Sequence, residues 1–325
     1  MLELVKQLNN AKFDELYRLE VAGQQVGYVR PALAEKLVER APEFFGQTGP
    51  QTITVIAENL TPQELTERFK TLHEQLAAEG ILPKPVKEFS DVRANIGDEP
   101  LFQVNRSLIF PLGIISRGVH AILTFENGDF LVAKRSDKVF TFQGCFDISV
   151  GGLLPSGKDP WDHVKVEAAE EGSFDLSAIR PSGEAKVLRY ARNVQGKQDG
   201  DKYKPAFPFE TDGGTNWDEV YCWPITIPDS TVPVPNDGEV KSFQRMTAIE
   251  MIDSLRNEPD RWKTNSGVML LQYVANDPRY SALFSAEERK ELDSLLVPDP
   301  RPLHSRGELP PATANKQAGN HTPKP

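Results

Sequence analysis

Alternating apolar and polar positions open the chain. Leu16, Tyr17, Leu19 and Val21 lead into a turn at Ala22-Gly23-Gln24, and Val26, Tyr28 and Val29 lead out of it, the signature of a β-hairpin over residues 13–30. Pro31 then starts a helix, where its missing N–H costs nothing, and Leu33, Leu37 and Val38 form the apolar stripe. The run Thr-Ile-Thr-Val-Ile-Ala at 52–57 reads as a buried strand. Thr61-Pro62-Gln63-Glu64 carries an N-cap, a proline at the first helical position and a capping-box acid, so a helix is expected from Pro62 to Glu79, ending at Gly80. These elements make a small α+β domain over residues 1–105.

The second half has its own pattern. Val119 to Phe125 and Phe130 to Ala133 flank Asn127-Gly128, a strong hairpin turn. A helix is expected at 159–171, strands near 184–191, 218–225 and 239–244, and helices near 247–256, 265–275 and 285–296. Between the strands, residues 193–216 read as a long loop rich in Gly, Asp and Lys, and loops of that length are often functional. The second domain spans 106–297. From Pro298 onward, Pro, Asn, Gly and Thr leave little to bury, so residues 298–325 are expected to be a disordered tail.

Charge narrows the partners. With Lys+Arg 37 against Asp+Glu 47, the net charge of -10 opposes a phosphate-coated nucleic acid, and no dense basic run offsets it. No apolar run reaches the roughly 20 residues of a membrane span. The two cysteines, Cys145 and Cys222, form neither a CxxC nor a disulfide framework. A cytoplasmic protein acting on a small molecule is the expectation.

The chemistry concentrates at 151–174. Glu167, Glu170 and Glu171 stand at i, i+3 and i+4, on one face of the expected helix. Taken alone, such acids are most often a solvated helix face. Here a Gly151-Gly152 turn, whose backbone can approach phosphate oxygens closely, leads through a loop into the helix, which Asp159 or Ser156 can cap and Pro160 suits. Three crowded carboxylates match a hard cation such as Mg²⁺.

At this point the segment resembles the Nudix box: Gly, five residues, Glu, seven residues, then Arg-Glu-aliphatic-x-Glu-Glu-x-Gly-aliphatic. With Gly152 as the first glycine, Glu167, Glu170 and Glu171 fall on the helix acids and Phe174 on the last apolar position. Lys158 replaces the early Glu, Val166 the Arg and Ser173 the late Gly. The preceding run Asp147-Ile148-Ser149-Val150-Gly151-Gly152 and the later Trp217–Tyr221 and Asn236–Val240 segments are similar to the family's flanks. The resemblance implies a Nudix α/β/α sandwich with a mixed sheet behind a smaller α+β domain. It implies hydrolysis of a small-molecule diphosphate, with Mg²⁺ (or Mn²⁺) held by Glu167, Glu170 and Glu171. Glu170, Glu171 and Glu239 are its catalytic candidates. Arg117, Arg135, Gly151, Gly152 and Glu219 are its substrate-binding candidates, and a homodimer is left open by analogy.

Gln25-Val26-Gly27-Tyr28-Val29-Arg30-Pro31 and Arg117-Gly118-Val119-His120 further resemble a narrower branch, the thiamine-pyrophosphokinase-related Nudix proteins. That likeness implies thiamine diphosphate, or its oxo- and oxythiamine analogues, as substrate. His120, His163, Arg30, Trp161 and Trp217 are secondary candidates, each with a structural reading beside the functional one. Two rivals remain: an isopentenyl-diphosphate-isomerase-like enzyme, which would want a cysteine where Gly151 stands, and a diphosphate-binding module without turnover.

Overall fold

A computed structural model describes residues 11–94, 98–139, 142–177, 185–195 and 212–294, with residues 4, 7, 8 and 179. The expected tail and most of the expected 193–216 loop lie outside these residues.

The N-terminal domain is a four-stranded sheet in the order β2-β1-β4-β3, built from β1 (Tyr17–Val21), β2 (Gln24–Val29), β3 (Phe45–Gly49) and β4 (Thr52–Val55). The hairpin pairs antiparallel, and β4 lies parallel to β1. Helices α1 (Pro31–Arg40) and α2 (Pro62–Ala78) bury Leu33, Ala34 and Leu37 and Leu65, Phe69, Leu72 and Leu76. Both bonds of the capping box form on α2: Glu64 N–H donates to Thr61 Oγ1 (3.3 Å) and Thr61 N–H to the Glu64 carboxylate (2.8 Å). A two-stranded ribbon, β5 (Phe89–Val92) and β6 (Phe102–Asn105), completes the domain. One apolar core runs from Leu19 to Ile114.

After a short turn, α3 (Ile109–Leu112), strand β7 (Ile115–Phe125) begins the larger sheet. The others are β8 (Phe130–Arg135), β9 (Phe146–Asp147), β10 (Val150–Leu153), β11 (Lys186–Gln195), β12 (Asp212–Ile227) and β13 (Val240–Met246). The main order is β11-β12-β7-β8-β13, with β10 on β7 and β9 on β8. The sheet is mixed: β12 runs parallel to β7 over Trp217↔Ile115 to Ile227↔Phe125, and the remaining pairs are antiparallel. Both β11 and β12 run into the segment that reads as loop in the sequence, so part of it is an extended ladder.

Residue parity on β7 assigns the two faces. Val119, Ala121 and Leu123 pack with Val164 and Ala168 of helix α4 (Pro160–Gly172). Ile122 instead joins the core under α5 (Ala248–Asn257), α6 (Thr264–Asn276) and α7 (Ala286–Ser294). Helices thus cover both faces, an α/β/α sandwich. Leu4 and Leu8 from the start of the chain sit in that second core beside Met251, Leu255 and Leu292. No helix among the described residues is long and apolar enough to cross a membrane.

The hairpin docks directly on the sheet. A Cβ on Gly27 would overlap the Leu112 carbonyl, so only glycine permits this approach. Tyr28 then packs against Trp217 at the start of β12, with ring centroids 5.6 Å apart, and Phe13 closes the cluster.

Candidate functional site

Helix α4 begins where the spacing predicts. Asp159, one of the two cap candidates, accepts from Asp162 N–H (3.0 Å), and Pro160 occupies the first turn. The other, Ser156, bonds elsewhere. The helix ends differently from expectation. Gly172 remains helical, and Ser173, at the position of the late box glycine, takes the left-handed conformation with φ 56°.

The helix acids divide by burial. Glu171 is buried, and Gly151 N–H donates to its Oε2 at 3.0 Å. Burial pushes its carboxyl well above the usual range; the Gly151 bond opposes this, and the charges of Asp147 and Glu167 add to it. Glu167 is half-buried over Gly152, where a Cβ would overlap its carboxylate. His163, one turn earlier, places Nε2 2.9 Å from both Glu167 Oε1 and the Leu153 carbonyl. The bond to Glu167 raises the imidazole's proton affinity, in a box whose usual arginine position is held by Val166. Glu170 is exposed. Glu239, the residue before β13, is exposed overall, yet partial desolvation, then Asp237 and Glu167, raise its carboxyl.

Gly151 and Gly152 therefore serve the acids first. One commits its N–H to Glu171, and the other makes room for Glu167. Glu219 is buried on β12 opposite Arg117 of β7 and accepts from the Tyr221 hydroxyl. Burial and that bond push Tyr221 up to about 12. Arg117 pairs with Asp91 of the N-terminal ribbon at 2.9 Å. Arg135 pairs with Asp147 at 2.7 Å. Trp161 packs edge-on to Trp223, and Trp217 lies within the hairpin cluster, so both are packing residues here.

Asp147 is the residue that sequence reasoning missed as a site. Besides Arg135, its buried carboxylate accepts from Lys263 Nζ (3.0 Å), Ser266 Oγ and Ile148 N–H (2.8 Å). Burial alone would raise it, but Lys263 and Arg135 outweigh burial and hold it well below the usual carboxylate range. His120 lies in the same cluster against Gly151, and burial with the Lys263 charge lowers it to about 3. It is a neutral imidazole at physiological pH. Of this cluster, the Asp147 charge raises the Glu171 carboxyl and the Lys263 charge lowers it by less.

Among the described residues, no three His, Cys, Asp or Glu side chains are already gathered at ligand spacing. The donor chemistry nevertheless fits a hard divalent cation: Glu167 raises the proton affinity of both Glu171 and Glu239, so these oxygens crowd one region with negative charge.

The mixed sheet between helices and the acids of α4 accord with the resemblance to the Nudix family. Residues 1–116 match a family model described as "Domain of unknown function (DUF4743)". Two Arabidopsis thaliana proteins, "Nudix hydrolase 20, chloroplastic" and "Nudix hydrolase 24, chloroplastic", are each 24% identical to the chain. The first alignment covers 81% of this chain and 68% of the relative, the second 84% and 71%. A solved protein from Deinococcus radiodurans is 20% identical over 53% of this chain and 90% of its own, with a TM-score of 0.35. These likenesses, over more than four-fifths of this chain for the two Arabidopsis relatives, support a diphosphate hydrolase of Nudix type.

Proposed function

We propose that this protein is a Mg²⁺-dependent hydrolase (Mn²⁺ being the alternative metal) that converts thiamine diphosphate, or its oxo- and oxythiamine analogues, to the monophosphate. The observation that carries the hydrolase reading is the buried Glu171. A carboxylate so far from water, hydrogen-bonded to Gly151 N–H and facing further acids, is an unfavourable arrangement unless it keeps its proton or a cation shares it, and a cation suits the neighbouring acids as well. Glu167, Glu170 and Glu171 would hold the metal. Bound there, it would neutralise diphosphate oxygens and activate water. The chain's own groups do the rest. Gly151 N–H and His163 orient Glu171 and Glu167. Glu239, with its raised proton affinity, accepts the proton of the attacking water. Arg135 and Lys263 supply positive potential for the departing phosphate. Phosphoryl transfer asks chiefly for such positioning and charge neutralisation.

The thiamine assignment rests on the likeness of the Gln25–Pro31 and Arg117–His120 segments to one branch of the superfamily. The isomerase alternative lacks its cysteine. Gly151 stands at that position, the Cys145 thiol faces the Asp260 carbonyl, and Cys222 is buried within the second core.

The test is incubation of the full chain with Mg²⁺ and thiamine diphosphate, oxythiamine diphosphate, ADP-ribose or a nucleoside triphosphate, with products read by mass spectrometry and Glu171→Gln as control. Metal-dependent thiamine-type monophosphate, absent from the control, is the expected result. Product from ADP-ribose or the nucleotide alone would discard the thiamine reading. Binding without product from any compound would leave a diphosphate-binding module.

A further inference from the structure

The loop 154–159 joins the Gly151-Gly152 strand to the acid helix, so its course sets both halves of the site. Its ends are held, Leu154 in the core under α4 and Asp159 as the helix cap, but its middle is not: Gly157 is left-handed, and Lys158, at the early acid position of the box, is exposed. The anchor comes from the N-terminal ribbon. Ser156 N–H donates to the Phe89 carbonyl at 3.1 Å, Ser156 Oγ donates to Asp91 Oδ1, and Gln103 Nε2 donates to that same Oγ. Asp91 and Gln103 are direct cross-strand partners. Asp91, with a side chain 2% exposed, also accepts from Arg93 and Arg117, each at 2.9 Å. Arg117 in turn holds the loop through its carbonyl, which accepts from Leu154 N–H at 2.7 Å, and its side chain reaches Tyr221, the donor to Glu219. One buried carboxylate in the first domain thus joins the loop before the acid helix to the strand pair that carries Glu219.

We propose that Asp91 is a positioning residue for the diphosphate chemistry of the neighbouring domain. It fixes loop 154–159, and through that loop Gly152 and the start of the acid helix, so the domain of unknown function and the Nudix domain form one catalytic unit. A buried charge-assisted network of this kind has one low-energy arrangement, which suits it to hold geometry rather than merely to add stability. The proposal rests on the hydrolase reading above.

Full-length Asp91→Asn, Asp91→Glu, Ser156→Ala and the Asn/Ala double variant test it by three measurements: kcat and KM for the diphosphate that the wild type cleaves, melting temperature, and hydrogen exchange of the 154–159 amides. Displacement of a catalytic element by about 1 Å costs up to roughly 100-fold, so Asp91→Asn is expected to lower kcat by at least about tenfold with KM changed less than about threefold. Exchange across 154–159 should rise by about tenfold, as for a segment released from its anchor. The double variant should be no slower than the slower single, and Asp91→Glu should recover part of kcat. Unchanged exchange in Asp91→Asn would overturn the proposal. So would raised exchange with kcat within about twofold of wild type, or a kcat loss that vanishes well below the variant's melting temperature. A wild type that cleaves no diphosphate would refute the hydrolase reading, and the exchange arm would still decide whether Asp91 sets the loop.

Discussion

Removing the charge of Asp147 is a severe test of how the site is held. The carboxylate is 8% exposed and faces Arg135 and Lys263, which are 13% and 15% exposed, so Asp147→Asn leaves two poorly solvated cations facing a neutral amide. Deleting one partner of a buried ion pair costs about 3–5 kcal/mol. For a chain of this size about 2–4 °C of melting temperature accompanies each kcal/mol, so the expected fall is roughly 6–20 °C. Thermal and urea denaturation followed by circular dichroism at pH 7 read it directly. A second arm uses pH. The folded-state affinity of Asp147 for protons is depressed, so the unfolded chain binds more protons as pH falls toward and below the ordinary carboxylate range. The stabilisation is complete above the unfolded pKa of about 3.9 and is lost as pH falls through the folded value. Wild type should therefore lose stability below about pH 4 more steeply than Asp147→Asn, and the two curves should converge in acid. A melting temperature within about 3 °C of wild type at pH 7, or parallel acid curves, would refute the reasoning.

Four further outcomes are expected. Glu171→Gln keeps the acceptor for Gly151 N–H but removes a buried charge whose folded pKa is raised; that group penalises the folded state above the unfolded value of about 4.3, so the variant should melt higher at pH 7–8 while its kcat falls by at least about 100-fold. Added Mg²⁺ should raise the melting temperature of wild type and not of this variant, since only a competent site shifts the folding equilibrium by binding. Gly152→Ala places a methyl group where the Glu167 carboxylate lies, and should cut kcat by about 100-fold with a far smaller loss of stability, read by parallel kinetics and melting. Ser173→Gly relieves a left-handed serine at the helix end and should stabilise by about 0.5–1 kcal/mol, visible in the urea midpoint.

What could be read in the sequence and what could not divides along chain distance. The acids of α4, its Asp159 cap and the Asn127-Gly128 turn are local patterns, with all partners within a few residues, and the structure keeps them. The β5–β6 ribbon escaped notice because Phe-Ser-Asp-Val and Phe-Gln-Val-Asn are short and carry no turn signal. Asp91, Asp147 and Lys263 escaped for a different reason. Asp147 and Lys263 are 116 positions apart, and only the seating of α6 beneath the sheet brings them together. Arg117 and Arg135 look like phosphate ligands in the sequence because a lone arginine beside a glycine-rich site has that chemistry. In the fold each has a buried aspartate partner that no spacing rule could supply. The Ser173 position shows the limit within a motif: Gly172 looks like the helix stop, but backbone geometry places the left-handed residue one position later.

The seating of Leu4 and Leu8 among the last helices bears on how the chain is made. Their neighbours Met251, Leu255 and Leu292 emerge some 250–290 residues later. At ribosomal rates of about 5–20 residues per second this is a wait on the order of tens of seconds. Meanwhile the first domain, whose core closes by Ile114, can fold in a small fraction of that time. Leu4 and Leu8 must stay undocked beside that first core until residues 251–292 have been made. A polar residue in place of Leu4 or Leu8 would weaken that late docking step, and its cost would appear in the yield of native protein before it appeared in activity.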